Sequence, residues 1–312
     1  MNEFELIAHL APSLSTNATT TVGVGDDCAV IDAGFSDRFL LFKTDAVVEG
    51  VHFTSATEPR RIGHKALGRC LSDIAAMAGT PTHALVTLAL PTKFEVKFID
   101  AVYAGLNALA ARHEVAIVGG ETTTNPERLL ISVAALGTVA KGKCPLRSGA
   151  KAGDAIFVTG ELGGSLAGKH LDFEPRLTEA YWLADNFQIH ALMDISDGLA
   201  GDLRQILKAS KVGAELLSDA IPISRSAKLA ARIGPPAKPP LLAALTDGED
   251  FELLFTVASR EAVPLLDAWK KQFPDLRLSC VGKITGKPGL TIRNKRGVQT
   301  LTADGYVHFQ KS

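Results

Sequence analysis

Acidic residues recur along this chain in short clusters that are marked by glycine or serine. The clusters are Gly25-Asp26-Asp27, Thr44-Asp45, Leu71-Ser72-Asp73, Gly119-Gly120-Glu121, Asp194-Ile195-Ser196-Asp197-Gly198 and Gly248-Glu249-Asp250. Most of them adjoin apolar runs, and a buried carboxylate needs a partner. Hard divalent cations commonly bind several carboxylates, and Mg²⁺ shares its coordination shell with substrate phosphates. The pattern therefore indicates Mg²⁺-dependent phosphate chemistry.

Asp73 gives the strongest of these signals. It stands between Leu71 and Ile74 on a predicted helix, residues 60–77, whose apolar residues recur at steps of three and four. Aspartate is a modest helix former and is costly to bury. A functional role is therefore favoured over a structural pairing of Asp73 with Arg69 or with water.

Two further clusters adjoin predicted strands. Asp27 follows a glycine-rich turn and precedes the strand predicted at 28–31, and Thr44-Asp45 end the strand predicted at 39–43. Glycine-aspartate clusters are also typical of plain turns, and an acid at the end of a strand is also typical of a cap. Each cluster by itself leaves both interpretations open.

Backbone groups and one arginine could bind phosphate. Gly119-Gly120-Glu121 is predicted as a turn after the strand at 115–118, where glycines let a ligand approach the backbone and the N–H groups can face phosphate. Arg147 stands in a polar segment, 141–152, and is interpreted either as a phosphate clamp or as a solvated charge.

The acids of the second half precede a helix and a strand. Ser196 or Asp197 is predicted to cap the helix that begins at Leu199, and this cap leaves Asp194 without a structural explanation. Strands tolerate dense charge poorly without a partner. Three acids nevertheless stand at the head of the strand predicted at 252–257, namely Glu249, Asp250 and Glu252.

Composition excludes several classes of protein. The 312 residues are 46% hydrophobic with a net charge of −1, which suits two globular domains and provides no basic surface for nucleic acid or membrane. The four cysteines show no metal-binding spacing, no apolar run reaches the length of a membrane span, and no basic leader is evident. A cytoplasmic location is expected. P-loop, protein-kinase and GxSxG motifs are absent from the sequence.

Short β-branched runs alternate with helical patterns in both halves of the chain, which predicts α/β layers. The predicted domains are 1–140 and 153–312, joined by a linker at 141–152. Further strands are predicted at 85–90, 130–139, 155–159, 215–217, 279–284 and 290–293, and further helices at 1–10, 94–112, 164–170, 178–186, 199–209 and 260–272.

Taken together, the motifs closely resemble the thiamine-monophosphate kinase family, within the PurM-like (aminoimidazole-ribonucleotide synthetase-like) superfamily. The resemblance runs nearly end to end, with agreement in order, spacing and length. Its segments are GVGDDCAVI, KTDAVVEGVHF, GHKALGRCLSDIAAMAGTP, VGGETT, RSGAKAGDAIFVTGELGGSLAG, MDISDGLAGDL, DGEDFELLFTV and GYVHF. DISDGL, LSDIAAM and GEDFELLF are specific in combination, whereas each alone is weak.

The resemblance implies a two-domain PurM-like α/β fold whose N-terminal sheet forms a dimeric β-barrel with a second subunit. It implies ATP-dependent phosphorylation of thiamine monophosphate to the diphosphate, with several Mg²⁺ ions as cofactors, and it implies a homodimer. The metal ligands that the resemblance implies are Asp27, Thr44, Asp45, Asp73, Glu121, Asp194 and Asp197, and the catalytic residues expected among them are Asp45, Asp73 and Asp194. The residues expected to contact ATP are Gly120, Glu121, Arg147 and Ser196. The residues expected to contact thiamine monophosphate are His52, Glu249 and Tyr306.

Four positions depart from the family's usual residues. Glu121 replaces an aspartate and lengthens the arm by one methylene, and Lys43 replaces a small hydroxyl residue beside the expected metal ligands. Asp247 replaces a glycine and Cys70 replaces an asparagine. The cation of Lys43 is expected either to pair with an acid or to displace one metal ion.

Two alternatives stay open at this point. The first is another ATP-using PurM-like enzyme, such as aminoimidazole-ribonucleotide synthetase, selenophosphate synthetase or the hydrogenase-maturation dehydratase. The second is a nucleotide-binding homologue with altered or lost turnover. GEDFELLF and GYVHF favour the thiamine-monophosphate kinase over both alternatives.

Overall fold

The computed structural model describes residues 2–233, 238–303 and 305–306. The strands, in chain order, are β1 (Thr20–Val22), β2 (Ala29–Ile31), β3 (Arg38–Val48), β4 (Thr80–Leu90), β5 (Ala116–Thr124), β6 (Leu130–Ala140), β7 (Ala155–Thr159), β8 (Ile189–Asp194), β9 (Gly213–Leu217), β10 (Leu253–Val257), β11 (Leu278–Thr285), β12 (Gly289–Asn294) and β13 (Gly297–Thr300). The helices are α1 (Glu3–Leu10), α2 (Pro59–Ala76), α3 (Val96–Arg112), α4 (Lys169–Asp172), α5 (Leu177–Asn186), α6 (Leu199–Ser210), α7 (Arg225–Ile233), α8 (Pro240–Thr246) and α9 (Ala262–Gln272). Within those described ranges, each helix is too short or too polar to cross a membrane.

The chain forms two compact units, each built around one mixed sheet. The first unit comprises Ala18–Cys144 and Gly168–Tyr181, and the second comprises Met1–Asn17, Pro145–Ala167 and Trp182–Ser312. The two-sheet α/β architecture expected from the alternating pattern is confirmed. The domain limits at 1–140 and 153–312 stay a prediction.

The first unit contains a six-stranded sheet in the order β1-β2-β3-β6-β4-β5. Adjacent strands of this sheet are antiparallel, except for β4 and β5. These two strands are parallel and are joined by the crossover helix α3. Along β4 and β6, buried and more exposed residues alternate, as expected for strands with one covered face. The covering helix α2 packs against β3 and β6.

Two glycines let α2 and α3 pack backbone to backbone. A Cβ added to Gly63 would lie 1.9 Å from the carbonyl oxygen of Val102, and one added to Gly105 would lie 1.8 Å from that of Arg60. Because neither distance leaves room for an atom, the helix pair depends on glycine at both positions. These contacts lie in the first turns of α2, at the end opposite to Asp73.

The second unit contains a seven-stranded sheet in the order β13-β12-β9-β11-β7-β10-β8. Strand β10 pairs antiparallel with both β7 and β8, and all five of its residues are buried. The core on this sheet includes Val158, Leu203, Leu254 and Val281. Leu253 is the register partner of Asp194, so the segment before β10 lies beside the end of β8.

Most of the predicted elements are present, and the errors concern short or irregular elements and the region around α7 and α8. Helices predicted at 60–77 and 94–112 correspond to α2 and α3, whereas the helix predicted at 164–170 is wrong because a 3₁₀ turn, Ser165–Ala167, precedes the one-turn helix α4. Strands β1, β8 and β13 and helices α7 and α8 were not predicted. Strands β1 and β13 are only three and four residues long, whereas α7 has an amphipathic period that its sequence did carry.

We expect Gly63→Ala to lower the free energy of unfolding by about 1–3 kcal/mol or more, because the added methyl overpacks the α2–α3 contact. Urea unfolding followed by circular dichroism measures the change. Gly23→Ala is the matched control, since a Cβ there meets only the Thr20 methyl group at 3.8 Å. Equal stabilities of the two variants would contradict the close-packing interpretation.

Candidate active site

The acids of the first unit lie on three different elements. Asp27 lies two residues before β2 and is 2% exposed, and Asp73 lies in the last turn of α2 and is 7% exposed. Asp45 lies inside β3, so the prediction that Thr44 and Asp45 end the strand is wrong. Pairing with β6 continues past Asp45 to Val48 and extends β3 beyond its apolar run.

Two basic side chains of the same unit pair with these acids. Lys43 Nζ lies 3.0 Å from Asp73 Oδ1, and both side chains are largely buried. Arg69 places Nε 3.2 Å from Asp45 Oδ2 and an Nη atom 3.3 Å from Asp45 Oδ1. Arg69 therefore pairs with Asp45, and Lys43 pairs with Asp73.

These ion pairs determine the charge states of their members. Burial alone would lower the pKa of Lys43, but the carboxylates of Asp73, Asp45 and Asp27 raise it well above its usual value. Burial alone would raise the pKa of Asp45, but the guanidinium of Arg69 and the ammonium of Lys43 hold it below the usual range. Asp45 is therefore ionised and Lys43 is protonated at neutral pH.

His52 follows β3 in a tight turn. Its Nδ1 accepts a hydrogen bond from the Val48 N–H at 3.0 Å, which leaves the proton of the neutral ring on Nε2. The fully buried Lys65 of α2 donates to the His52 carbonyl oxygen at 2.7 Å. Hydrogen bonds to the imidazole and to the backbone carbonyl of His52 thus hold the turn in place.

Gly120 and Glu121 lie inside β5, so the predicted turn at Gly119-Gly120-Glu121 is wrong. Parallel pairing with β4 continues to Thr124 and keeps the segment extended. A Cβ on Gly120 would lie 1.8 Å from the Val86 carbonyl oxygen, which requires glycine. Glu121 is exposed on this strand, and Thr44 is exposed on β3 with its hydroxyl 3.4 Å from that of Ser132.

In the second unit, a short loop joins β8 to α6. Asp194 is the last residue of β8 and is 3% exposed, while Ser196 and Asp197 are partly exposed in the loop. The N-cap position belongs to Gly198, so the predicted capping by Ser196 or Asp197 is wrong. Gly198 adopts φ 101°, a conformation that a side chain disfavours.

Asp202 is an acid of this loop region that sequence reasoning missed. It is 1% exposed in the first turn of α6, and its Oδ2 accepts the Asp197 N–H at 3.0 Å. Burial, followed by the nearby carboxylates of Asp197 and Asp194, raises the pKa of Asp202 well above its usual value. The signal available in the sequence was an aspartate three residues into an amphipathic helix.

The segment before β10 is tied to that loop through its backbone. The Glu249 N–H donates to the Ser196 carbonyl oxygen at 2.7 Å, and the Phe251 N–H donates to that of Ile195 at 2.8 Å. Glu249 and Phe251 adopt left-handed φ values of 51° and 50°. Strain of this kind persists where surrounding bonds hold it, and here it fixes the position of the Glu249 side chain.

The two buried acids beside Glu249 have structural roles. Both Asp250 carboxylate oxygens accept the Gly163 N–H, at 3.0 and 2.9 Å, and Glu252 Oε2 accepts the Thr159 hydroxyl at 2.7 Å. Asp247 has a structural role as well. Its Oδ2 accepts the Gly164 N–H at 2.9 Å, and its Oδ1 lies 2.9 Å from Lys238 Nζ.

Two further predicted contacts lie in the second unit. Arg147 lies in a 3₁₀ turn, and its own backbone carbonyl oxygen accepts a hydrogen bond from the Ser210 hydroxyl at 2.8 Å. The Tyr306 N–H donates to the Asp197 carbonyl oxygen at 2.8 Å, and the side chain is exposed. The rest of the GYVHF motif, residues 307–309, lies outside the described residues.

Comparison with known proteins places the chain in a family. The AIR synthase related protein N-terminal domain matches residues 25–139, and the corresponding C-terminal domain matches residues 151–294. The chain is 41% identical to a thiamine-monophosphate kinase of Rhodopirellula baltica, over 98% of this chain and 97% of the relative. It is 34% identical to that of Bacillus subtilis, over 99% and 100%.

Solved structures show the same likeness. AaThiL complexed with AMPPCP and TMP superposes with a TM-score of 0.84 at 29% identity, covering 99% of this chain and 97% of that one. A thiamine-monophosphate kinase from Stenotrophomonas maltophilia gives 0.73 at 31% identity, covering 97% and 98%. The two sheets and their acidic loops define a two-domain AIR synthase related protein of the PurM-like type. Within that class, the chain belongs to the thiamine-monophosphate kinase family.

The structure distinguishes the adjacent acids Glu249 and Asp250. We expect Asp250→Ala to lower the free energy of unfolding by about 2–3 kcal/mol, because the buried Gly163 N–H loses its charged acceptor. Glu249→Gln is the control, and we expect its stability to stay within about 0.5 kcal/mol of the wild type, since the side chain is partly exposed. Denaturant unfolding of both variants measures the difference, and a reversed order would refute the assignment.

Proposed function

We propose that this chain catalyses the ATP-dependent phosphorylation of thiamine monophosphate to thiamine diphosphate. The observation that carries the proposal is the burial or ion pairing of four of the expected carboxylates. Asp27, Asp73 and Asp194 are buried, and Asp45 is ionised beside Arg69. The likeness to a structure with bound AMPPCP and TMP supports the same substrates here.

The donor set fits Mg²⁺. Hard Mg²⁺ prefers oxygen ligands, and the candidate side chains are carboxylates and a hydroxyl. Burial raises the pKa of the nearby Cys28 and Cys70 thiols well above their usual value, so neither supplies a thiolate that would favour a softer metal. The residues that would hold Mg²⁺ are Asp27, Thr44, Asp45, Asp73 and Glu121 of the first unit, and Asp194 and Asp197 of the second. When bound, Mg²⁺ neutralises phosphate charge.

Other residues are assigned to the two substrates. The bare backbone of Gly120, with Glu121, Arg147 and Ser196, contacts ATP in this proposal. His52, Glu249 and Tyr306 contact thiamine monophosphate, with the Tyr306 ring attracting the cationic thiazolium face. The hydrogen bonds that hold His52 and Glu249 support this assignment, because both side chains are presented by constrained turns.

The reaction is a direct in-line transfer. A phosphate oxygen of thiamine monophosphate forms a bond to the γ-phosphorus of ATP, and the bond from that phosphorus to the bridging oxygen breaks to release ADP. A phosphate monoester is mostly ionised at pH 7, so the nucleophile needs no general base. Catalysis then consists of positioning and charge neutralisation, with Asp45, Asp73 and Asp194 as the catalytic residues.

We expect Asp45→Asn and Asp73→Asn each to lower kcat about 100-fold or more, because a neutral amide weakens the charge that holds the metal and the phosphates. A coupled ATP assay with and without thiamine monophosphate, combined with chromatographic detection of thiamine diphosphate, measures the rate. Circular dichroism confirms that each variant is folded. Asp275→Asn is the control, since that side chain is exposed and is not one of the proposed site residues.

Near-normal turnover in both site variants would overturn the assignment of these acids. Tight binding of Mg-ATP by the wild type without thiamine diphosphate formation would instead support the alternative of a nucleotide-binding homologue that lacks turnover.

The same proposal includes a homodimer. Alternation along β3 and β6 directs Phe42 and its register partner Leu136 to the face opposite Leu41, and both are exposed, as are Leu85 on β4 and Val118 on β5. The sheet is open, with β1 and β5 at its edges. A second copy that packs the same sheet against this apolar face completes the expected dimeric barrel.

We expect Leu136→Asp to convert the dimer to a monomer, because a carboxylate on the apolar face would be buried without a partner. Light scattering coupled to size-exclusion chromatography measures the molar mass of each protein in solution. Val263→Asp, at an exposed apolar position on α9, is the control and keeps the dimeric mass. A wild-type protein that runs as a monomer would refute this part of the proposal.

We propose two further features. The domain limits are 1–140 and 153–312 with a linker at 141–152, and the family matches that end at 139 and resume at 151 support them. The location is cytoplasmic, where ATP is available.

A further inference from the structure

The first-unit acids have a cation built into the strand that carries them. Lys43 and Asp45 are two residues apart on β3, so their side chains project to the same face of the sheet. Lys43 Nζ lies 3.0 Å from Asp73 Oδ1. The Lys43 side chain is 23% exposed, and the Asp73 side chain is 10% exposed. The Lys43 ammonium therefore occupies the space beside Asp73 in which a metal ion coordinated by that carboxylate would lie.

An ammonium and a divalent cation compete for the same carboxylate oxygen. Mg²⁺ binds oxygen at about 2.0–2.1 Å and demands a near-octahedral set of ligands. An ammonium that already contacts Asp73 Oδ1 blocks one direction of approach and repels a doubly charged ion nearby. Arg69 adds a second positive charge beside these acids, because its guanidinium pairs with both oxygens of Asp45.

We propose that the Lys43 ammonium takes the place of one divalent cation at the Asp27, Asp45 and Asp73 carboxylates. The inference rests on the proposed function only for the assignment of these acids as metal ligands. Lys43 supplies one positive charge that stays with the protein at any Mg²⁺ concentration. The chain then binds one metal ion fewer per subunit than it would with a small hydroxyl residue at position 43.

The test counts metal ions without requiring turnover. Electron paramagnetic resonance of free Mn²⁺, titrated with the full chain, measures the number of Mn²⁺ ions bound per subunit. We expect Lys43→Thr to bind one more Mn²⁺ than the wild type, and Lys43→Arg, which keeps the charge, to bind the wild-type number. Lys97→Thr, at an exposed lysine on α3, is the control and also keeps the wild-type number.

Equal Mn²⁺ numbers in the wild type and Lys43→Thr would overturn the inference, and so would an added ion in Lys43→Arg. Lys43→Met gives a second measurement if the threonine variant fails to fold, because it keeps most of the side-chain volume and removes the charge. We expect Mg²⁺ to raise the Tm of Lys43→Met by more than it raises that of the wild type. An equal rise in Tm would overturn the inference.

Failure of the proposed function has a different signature. Thiamine diphosphate formation is measured in the same preparations of the wild type and Lys43→Thr. An added Mn²⁺ ion without any product in either protein sustains the role of Lys43 and overturns the kinase reaction. Product formation by the wild type, together with equal Mn²⁺ numbers in the wild type and Lys43→Thr, supports the kinase reaction and overturns the role of Lys43.

Discussion

Carboxylates that are removed from water require a cation or several hydrogen-bond donors, and the structure around these clusters depends on meeting that requirement. In the first unit, Lys43 and Arg69 meet it for Asp73 and Asp45. In the second unit, backbone and hydroxyl donors meet it for Asp250 and Glu252. The sheets and helices place each donor within reach of its acid.

The type of partner separates the structural acids from the reactive ones. Asp250 accepts a backbone N–H that cannot move without unfolding its loop, so this acid holds the segment that carries Glu249. Asp45 and Asp73 are instead paired with the long basic side chains of Arg69 and Lys43, whose charges stay with the protein. These two acids are therefore neutralised by charged side chains rather than by fixed backbone donors.

Local patterns predicted the element types well and the element ends poorly. The three- and four-residue apolar period located α2, and the burial of Asp73 followed from its place near that stripe. The strand ends predicted at Asp45 and at Val118 were wrong because β3 and β5 continue where a neighbouring strand offers backbone partners. The length of a strand is therefore a property of the sheet rather than of its own apolar run.

The sequence by itself indicated most of the candidate acids, since glycine-marked carboxylates beside apolar runs are costly unless they bind something. Their order and spacing were also sufficient to indicate the thiamine-monophosphate kinase family. Only the tertiary structure decided how the acids are partnered. Lys43 meets Asp73, and Asp45 meets Arg69, across a strand and a helix that are distant in sequence. Spacing along the chain cannot encode such pairs, because they depend on how α2 packs on the sheet.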